Sequence, residues 1–208
     1  PEAVSRVAWF YAMRGVAFYM LLIIPLIFIL FYKKKDLNVF LMIWAVFSIL
    51  GTMKGIMQMM FGVDPFEQRW LDSGGAVTHI LFGKLRVFSF YSDAGQFGAS
   101  QGQTGVVFGI LALNQKGNWK LKIFYGLTAV LGIYGMMISG TRGAIAVPVM
   151  GAALYVILRK NIKVMILGLI AGITFFGFFK YTTIGNGNYN IRRMRTAFDP
   201  NDASLLVR

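Results

Sequence analysis

Read for hydrophobic and polar positions, the chain resolves into six apolar segments at residues 16–32, 37–61, 95–113, 121–139, 143–158 and 162–179, separated by polar or basic stretches. Each is near the roughly 20 residues that cross a bilayer as a helix. Backbone amides in hydrocarbon must be bonded within their own segment, so all six are predicted to be helices. The segments at 16–32 and 143–158 are the shortest, and their ends extend into the flanks. Residues 4–14 are aromatic and basic and suit an interfacial lead-in. The pattern predicts an all-α, polytopic integral membrane protein with about six transmembrane helices, a single transmembrane domain over 1–208. In it, 62–94 is an outer loop and 180–208 begins another large loop. The chain starts with Pro1, carries no signal peptide and stops in a polar stretch, which reads as a piece of a longer protein.

Composition points the same way. Of 208 residues, 57% are hydrophobic and 14% charged, with 24 Gly, 19 Phe and 12 Met; soluble domains average ~45–50% and ~25%. Disorder, a coiled coil and a disulfide scaffold are excluded. Cysteine is absent, so there is no disulfide framework and no thiolate site, and a single His argues against a multi-histidine metal site. A charge of +13 would suggest nucleic acid in a soluble protein, but in a membrane protein basic residues set topology and attract anionic lipid.

Six crossings assign every polar segment to one of two faces by parity. The first holds Lys33, Lys34, Lys35, Lys116, Lys120, Lys122, Arg159, Lys160 and Lys163, with Asp36 its single acid. The second holds the lead-in, the 62–94 loop, the 139–143 turn and the tail, including nine of the ten Arg. Its twelve basic residues, counting Lys54, outnumber the nine opposite but are spread over much more chain. Density in short loops governs insertion, so the second face is outside. No fixed-period repeat is visible, and the first three helices do not resemble the last three, so the inverted-repeat signature of many transporters is missing.

Candidate chemistry gathers on the outer face. In the turn Ser139-Gly140-Thr141-Arg142-Gly143, Thr141 is placed to cap the next helix, and Arg142 adds a forked donor to that helix start. This either binds phosphate or is a tight hairpin whose Arg snorkels to headgroups. Arg86 precedes Ser92 and Asp93, either of which is placed to cap the helix starting near Gly95; alternatively Arg86 pairs with Asp93. Two helices separate Arg86 from Arg142, which places both on one face. Gly95, Gly98, Gly102, Gly105 and Gly109 form one stripe, read as a packing seam. Gln96, Ser100, Gln101, Gln103 and Thr104 on the same helix must face a polar cavity or other helices. Lys54, near the outer boundary, is expected to snorkel, and Gly51, Gly55, Gly168 and Gly172 to pack. The Met53 to Met60 methionines read as adaptable filling. In the tail, Arg192, Arg193 and Arg195, with Asp199, Asp202 and Arg208, form either a solvated charge cluster or outer anion contacts. His79 lacks a partner constellation and reads as structural or exposed. The G-x-x-G spacings follow no strand and are discarded as phosphate loops.

At 86–98 and again at 139–143 the sequence resembles the O-antigen ligase and polymerase superfamily of bacterial membrane glycosyltransferases. The first match is an Arg, an aromatic-rich stretch and Ser-Asp-Ala-Gly-Gln-Phe-Gly, where the family often carries an Asp-Pro-Asn-like turn. The second, Ser-Gly-Thr-Arg-Gly opening an apolar helix, is close to the family's Ser-Arg-Gly signature. Residues 195–208, with Ser204 and Arg208, look like the start of the family's large periplasmic loop. The resemblance covers roughly the second half of the chain.

It implies an inner-membrane enzyme moving a glycan from a polyprenyl-pyrophosphate carrier to an acceptor hydroxyl, on a saccharide, lipid A core or protein, at the periplasmic face. No metal, cofactor or nucleic acid is implied. Arg86 and Arg142 inherit the donor pyrophosphate role, while the family's candidate base, a loop His, would lie beyond Arg208. The other readings are a transporter or flippase of an anionic or lipid-linked solute, and a noncatalytic assembly protein built on the glycine stripes.

Overall fold

The computed structural model describes residues 5–81, 83–184, 187 and 189–196. It is all-α apart from a two-residue hairpin, β1 (Ile80–Leu81) with β2 (Lys84–Leu85), paired antiparallel with Ile80 opposite Leu85. The chain falls into two compact units, Pro1–Trp44 and Ala45–Arg208.

In the first unit, α1 (Arg6–Met13) is capped by Ser5, whose hydroxyl accepts from the Ala8 amide, and passes through a π-helical turn (Arg14–Phe18) into α2 (Tyr19–Leu30). No residue of α2 is buried: Leu21, Leu22, Ile23, Phe28 and Ile29 are all exposed. The next helix, α3 (Lys34–Phe61), is entered through Asp36, which accepts from the Lys33 amide at 2.8 Å.

The second unit takes the rest of α3, from Ala45, and adds α4 (Pro65–Trp70), a π-helical turn (Leu71–Gly75), α5 (Ala76–His79), α6 (Ala94–Asn114), α7 (Trp119–Ile138), a 3-10 turn (Arg142–Ile145), α8 (Ala146–Arg159), α9 (Ile162–Tyr181) and α10 (Tyr189–Arg195). The helices fall on all six predicted segments. Three are long and apolar enough to cross a membrane: Lys34–Phe61, Trp119–Ile138 and the run Arg142–Arg159. Tyr19–Leu30 is shorter because the π-helical turn divides its helix, and Gly168–Tyr181 is also a shorter apolar run. The 21-residue α6 owes its lower hydropathy to Gln96, Ser100, Gln101, Gln103 and Thr104.

Glycines let α6 and α7 approach backbone to backbone. A Cβ at Gly132 would lie 2.8 Å from the Gly105 nitrogen and 2.9 Å from the Gln101 carbonyl, and one at Gly105 would strike Ile133. Gly98 faces Ser139, and Gly102 faces Met136 and Pro148, so the stripe is the packing seam its spacing predicts. At the edge of the same seam, fully buried Gln101 accepts from Ser48 Oγ at 2.8 Å and donates to the Ser48 carbonyl at 3.1 Å; Thr52 Oγ1 lies 3.2 Å away. The polar residues of α6 therefore divide: Gln101 and Thr104 are buried between helices, whereas Gln96 and Gln103 are exposed. Alternation of helix direction brings the C-terminal ends of α3, α7 and α9 to the N-terminal ends of α6 and α8. Three apolar clusters seal that end: Leu71, Phe88 and Ala94; Val87, Phe97 and Ile138; and Met136, Ala144, Ile145, Phe179 and Met194.

The seam makes a contrast testable within one helix. Gly132→Ala, which drives a methyl into backbone, is expected to destabilise by about 1–3 kcal/mol. Gly126→Ala, with nothing within 4 Å of its Cβ, should be neutral or slightly stabilising. Thermal unfolding of both variants in the same detergent checks the difference.

Candidate functional site

The sealed end carries the cationic centre. Its first part is local: Asp93 Oδ1 accepts from the amides of Gly95 at 2.6 Å and Gln96 at 3.2 Å, so Asp93 caps α6 and does not pair with Arg86. The α7–α8 turn needs Gly140 at φ 59°, a left-handed conformation natural to glycine. Ser139 braces that turn by donating to the Met136 carbonyl and accepting from the Thr141 amide.

Thr141 corrects one expectation. It stands at the cap position but does not cap the helix that follows it. Its hydroxyl donates to the Ala94 carbonyl at 3.0 Å and accepts from Arg86 Nη2 at 2.9 Å, because α6 begins beside the turn and its first carbonyl is closer than the turn's own amides. The other Arg86 terminal nitrogen donates to the Thr78 carbonyl at 3.2 Å. Arg142, next in the chain to Thr141, donates to Thr196 Oγ1 at 2.9 Å and so fastens the segment after α10. The turn thus brings Arg86 and Arg142 to one place.

The tail arginines separate by role. Arg193 donates to the Tyr189 hydroxyl at 3.2 Å and joins the centre. Arg195 binds Thr182 Oγ1 and the Ile184 carbonyl and lies 5.3 Å over the Phe178 ring, which makes it a staple between α9 and α10. Arg192 is exposed. Asp199, Asp202, Ser204 and Arg208 lie outside the described residues.

Burial first, and then the charge of Arg193, pull the Arg86 guanidinium below its ordinary value; Asp93 and Tyr189 oppose the shift and Arg142 adds to it. An arginine stays charged at neutral pH even so. Among the described residues no carboxylate forms an ion pair with Arg86 or Arg193, and the Nε atoms of both are buried without an acceptor. A half-buried set of mutually repelling forks, in which Arg86 and Arg193 each keep an Nε donor to spare, is an arrangement that an oxyanion would neutralise and bond. Beside it, a cleft of about 330 Å³ is lined by Lys84, Tyr189, Gln58 and Val87.

The opposite balance holds across the loop. Lys54 does not snorkel: its ammonium lies 2.9 Å from both Asp64 and Glu67, which the turn into α4 holds beneath it. Asp64 and Glu67 form a reciprocal capping box with Pro65 at the first helical position. The Glu67 amide, and then the Lys54 ammonium, hold the Asp64 carboxyl below its usual range. The Asp-Pro-x-Glu spelling of this cap was readable in the sequence.

Gln58 and its partners carried no such signal. Gln58 is 2% exposed; Nε2 donates to Glu67 at 2.8 Å and to the Ser89 carbonyl at 3.3 Å, while Oε1 accepts from the amides of Ser89 at 2.8 Å and Phe88 at 3.3 Å. These bonds hold Ser89 at φ 55°, a left-handed conformation costing a non-glycine residue about 1–2 kcal/mol. His79 is structural: 2% exposed, with Nδ1 3.0 Å from the Gly75 carbonyl and its ring edge-on to Trp70 and Phe88.

Comparison with known proteins brings no match: no family model fits the chain, and neither a curated protein nor a solved structure is similar to it.

Two outcomes follow from this geometry. Gln58→Ala leaves the Ser89 and Phe88 amides unpaired and should cost about 2–4 kcal/mol, with faster hydrogen exchange confined to 86–93. The Asp64 carboxyl has a lowered value in the folded state, so its stabilising contribution is present above the ordinary carboxylate pKa and lost as pH falls through the lowered one. Acid titration followed by Trp70 fluorescence should show α4 holding through the ordinary range in wild type and an altered acid response in Asp64→Asn.

Proposed function

We propose that this chain forms the membrane part of a bacterial glycosyltransferase of the O-antigen ligase or polymerase type. It takes a glycan from a polyprenyl-pyrophosphate carrier and transfers it to an acceptor hydroxyl at the periplasmic face of the inner membrane. The observation that carries the reading is the convergence of Arg86, Arg142 and Arg193 at one sealed helix end, close enough that the charges of Arg193 and Arg142 both act on Arg86.

The chemistry follows from charge. When the glycosyl bond breaks, the pyrophosphate leaving group gains negative charge, and fixed guanidinium forks stabilise that charge more than the ground state. Partial burial raises the effect by lowering the local dielectric. Arg142 and Arg86 are the donor clamp; Arg193 is a third arm, held by Tyr189. Arg195, engaged with α9, takes no part.

In this reading all six helices cross the bilayer. The polar α6 is tolerated because Gln101 and Thr104 are satisfied inside the bundle. The exposed Lys116, Lys120, Lys122, Arg159, Lys160 and Lys163 are cytoplasmic and the arginine end is periplasmic. A transporter or flippase would need unpaired charge along a route through the bundle, and Lys54, the cation set farthest into a helix, is neutralised by Asp64 and Glu67.

The test uses full-length protein and polyprenyl-pyrophosphate-linked glycan at equal membrane abundance. Arg142→Ala should lower the transfer rate ~10²–10³-fold, and Arg142→Lys should recover little, because a point charge does not replace a bidentate fork. Thr196→Val removes one hydrogen-bond partner of Arg142 but not its charge and should transfer near the wild-type rate. Wild-type transfer by Arg142→Ala, or an equal loss in Thr196→Val, would refute the clamp. Orientation is checked separately: single cysteines at Asn118 and Asn161 should react with an impermeant maleimide only after permeabilisation, and one at Gly143 without it.

A further inference from the structure

A second concavity lies across the loop from the arginines. It is a groove of about 460 Å³ lined by Lys54, Asp64, Phe66, Trp70, Phe90 and Tyr91. Its walls are aromatic, and Trp70 is fixed in its wall. The Trp70 ring is packed edge-on to His79 at 4.8 Å and against Phe88 at 5.3 Å, yet keeps 38% of its surface exposed. Its indole N–H makes no hydrogen bond within the described protein. Phe66 is 76% and Phe90 69% exposed, and the Arg69 guanidinium lies 4.6 Å over the Phe66 ring. The polar side is the Lys54–Asp64–Glu67 ion pair, which carries both donors and acceptors.

We propose that this groove is a saccharide-binding subsite. A pyranose is a disc with C–H groups on its faces and hydroxyls round its rim. Its faces match flat aromatic rings, one of them, Trp70, fixed by packing and two, Phe66 and Phe90, open to contact, and its rim matches a mixed set of carboxylate, ammonium and indole groups. An acyl chain would desolvate the ion pair without replacing its water, at a cost. An anion would meet the carboxylates of Asp64 and Glu67. A neutral or N-acetylated sugar escapes both penalties. Residues 86–93 run from Arg86 to the groove wall at Phe90 and Tyr91, so the groove accommodates the glycan while the arginines hold the phosphates. The assignment rests on the transfer reading only for what the sugar is attached to.

The test is saturation-transfer NMR on full-length protein in nanodiscs with maltotetraose, chitotetraose and a β-1,4-linked galactotetraose. At least one should receive saturation from the protein, and Phe66→Ala and Phe90→Ala should each weaken its binding tenfold or more. Tyr181→Ala, which removes an equally exposed ring at 74%, should leave the affinity unchanged. Both tested rings are exposed, so their loss does not threaten folding. No transfer to any of the three sugars, or affinity indifferent to Phe66 and Phe90, would overturn the proposal. If the Arg142 series fails while the groove still binds saccharide, the donor reading falls and the groove stands; the reverse pattern removes the groove alone.

Discussion

The contact on which the second unit depends is the approach of α6 to α7 at Gly105 and Gly132, where one backbone lies within a methyl group's reach of the other. Close packing and internal hydrogen bonds supply the association there. The seam supplies the first and Gln101, closed on Ser48 and Thr52 of α3, the second. With these two helices in register, the start of α6 sits beside the end of α7. That placement lets the Thr141 hydroxyl bridge the Ala94 carbonyl and the Arg86 fork. A shift of one turn along the seam, about 5.4 Å, would break both bonds and move Arg142 away from Arg86.

The same end holds two polar systems of opposite balance. Lys54, Asp64, Glu67 and Gln58 are mutually satisfied, and they spend that satisfaction on holding the 86–93 loop, including the left-handed Ser89. In the arginine set Arg86 and Arg193 are under-satisfied, and Arg86 is desolvated and repelled by its neighbours. The set is held by the hydrogen bonds of Arg86 to Thr141, Arg142 to Thr196 and Arg193 to Tyr189, at an end closed by the Met136, Ile145, Phe179 and Met194 cluster. Stability and the capacity for function are thus carried by neighbouring but distinct groups of residues.

Much of this was legible along the chain. The helices, the glycine seam and the Asp93 cap are local or periodic features, set by hydropathy, spacing and the chemistry of short-range caps. The placement of Arg86 and Arg142 at one end follows from counting helices. Two local readings failed for one reason. Thr141 was expected to cap its own helix and Lys54 to reach for headgroups, and in both cases a partner brought close by packing was the better one: Ala94 with Arg86 for Thr141, and Asp64 with Glu67 for Lys54.

By itself, then, the sequence determined an all-α chain and the positions of its six apolar helical segments, because those depend on the composition of each stretch alone; three of the helices formed there are long and apolar enough to span a bilayer. Only the tertiary structure decided which tail arginine joins the centre and which is a staple, why Gln58 matters, and that Trp70, Phe66 and Phe90 face one groove. Most of those relations join residues far apart in the chain. Such contacts are chosen by helix register and burial, which no local pattern encodes.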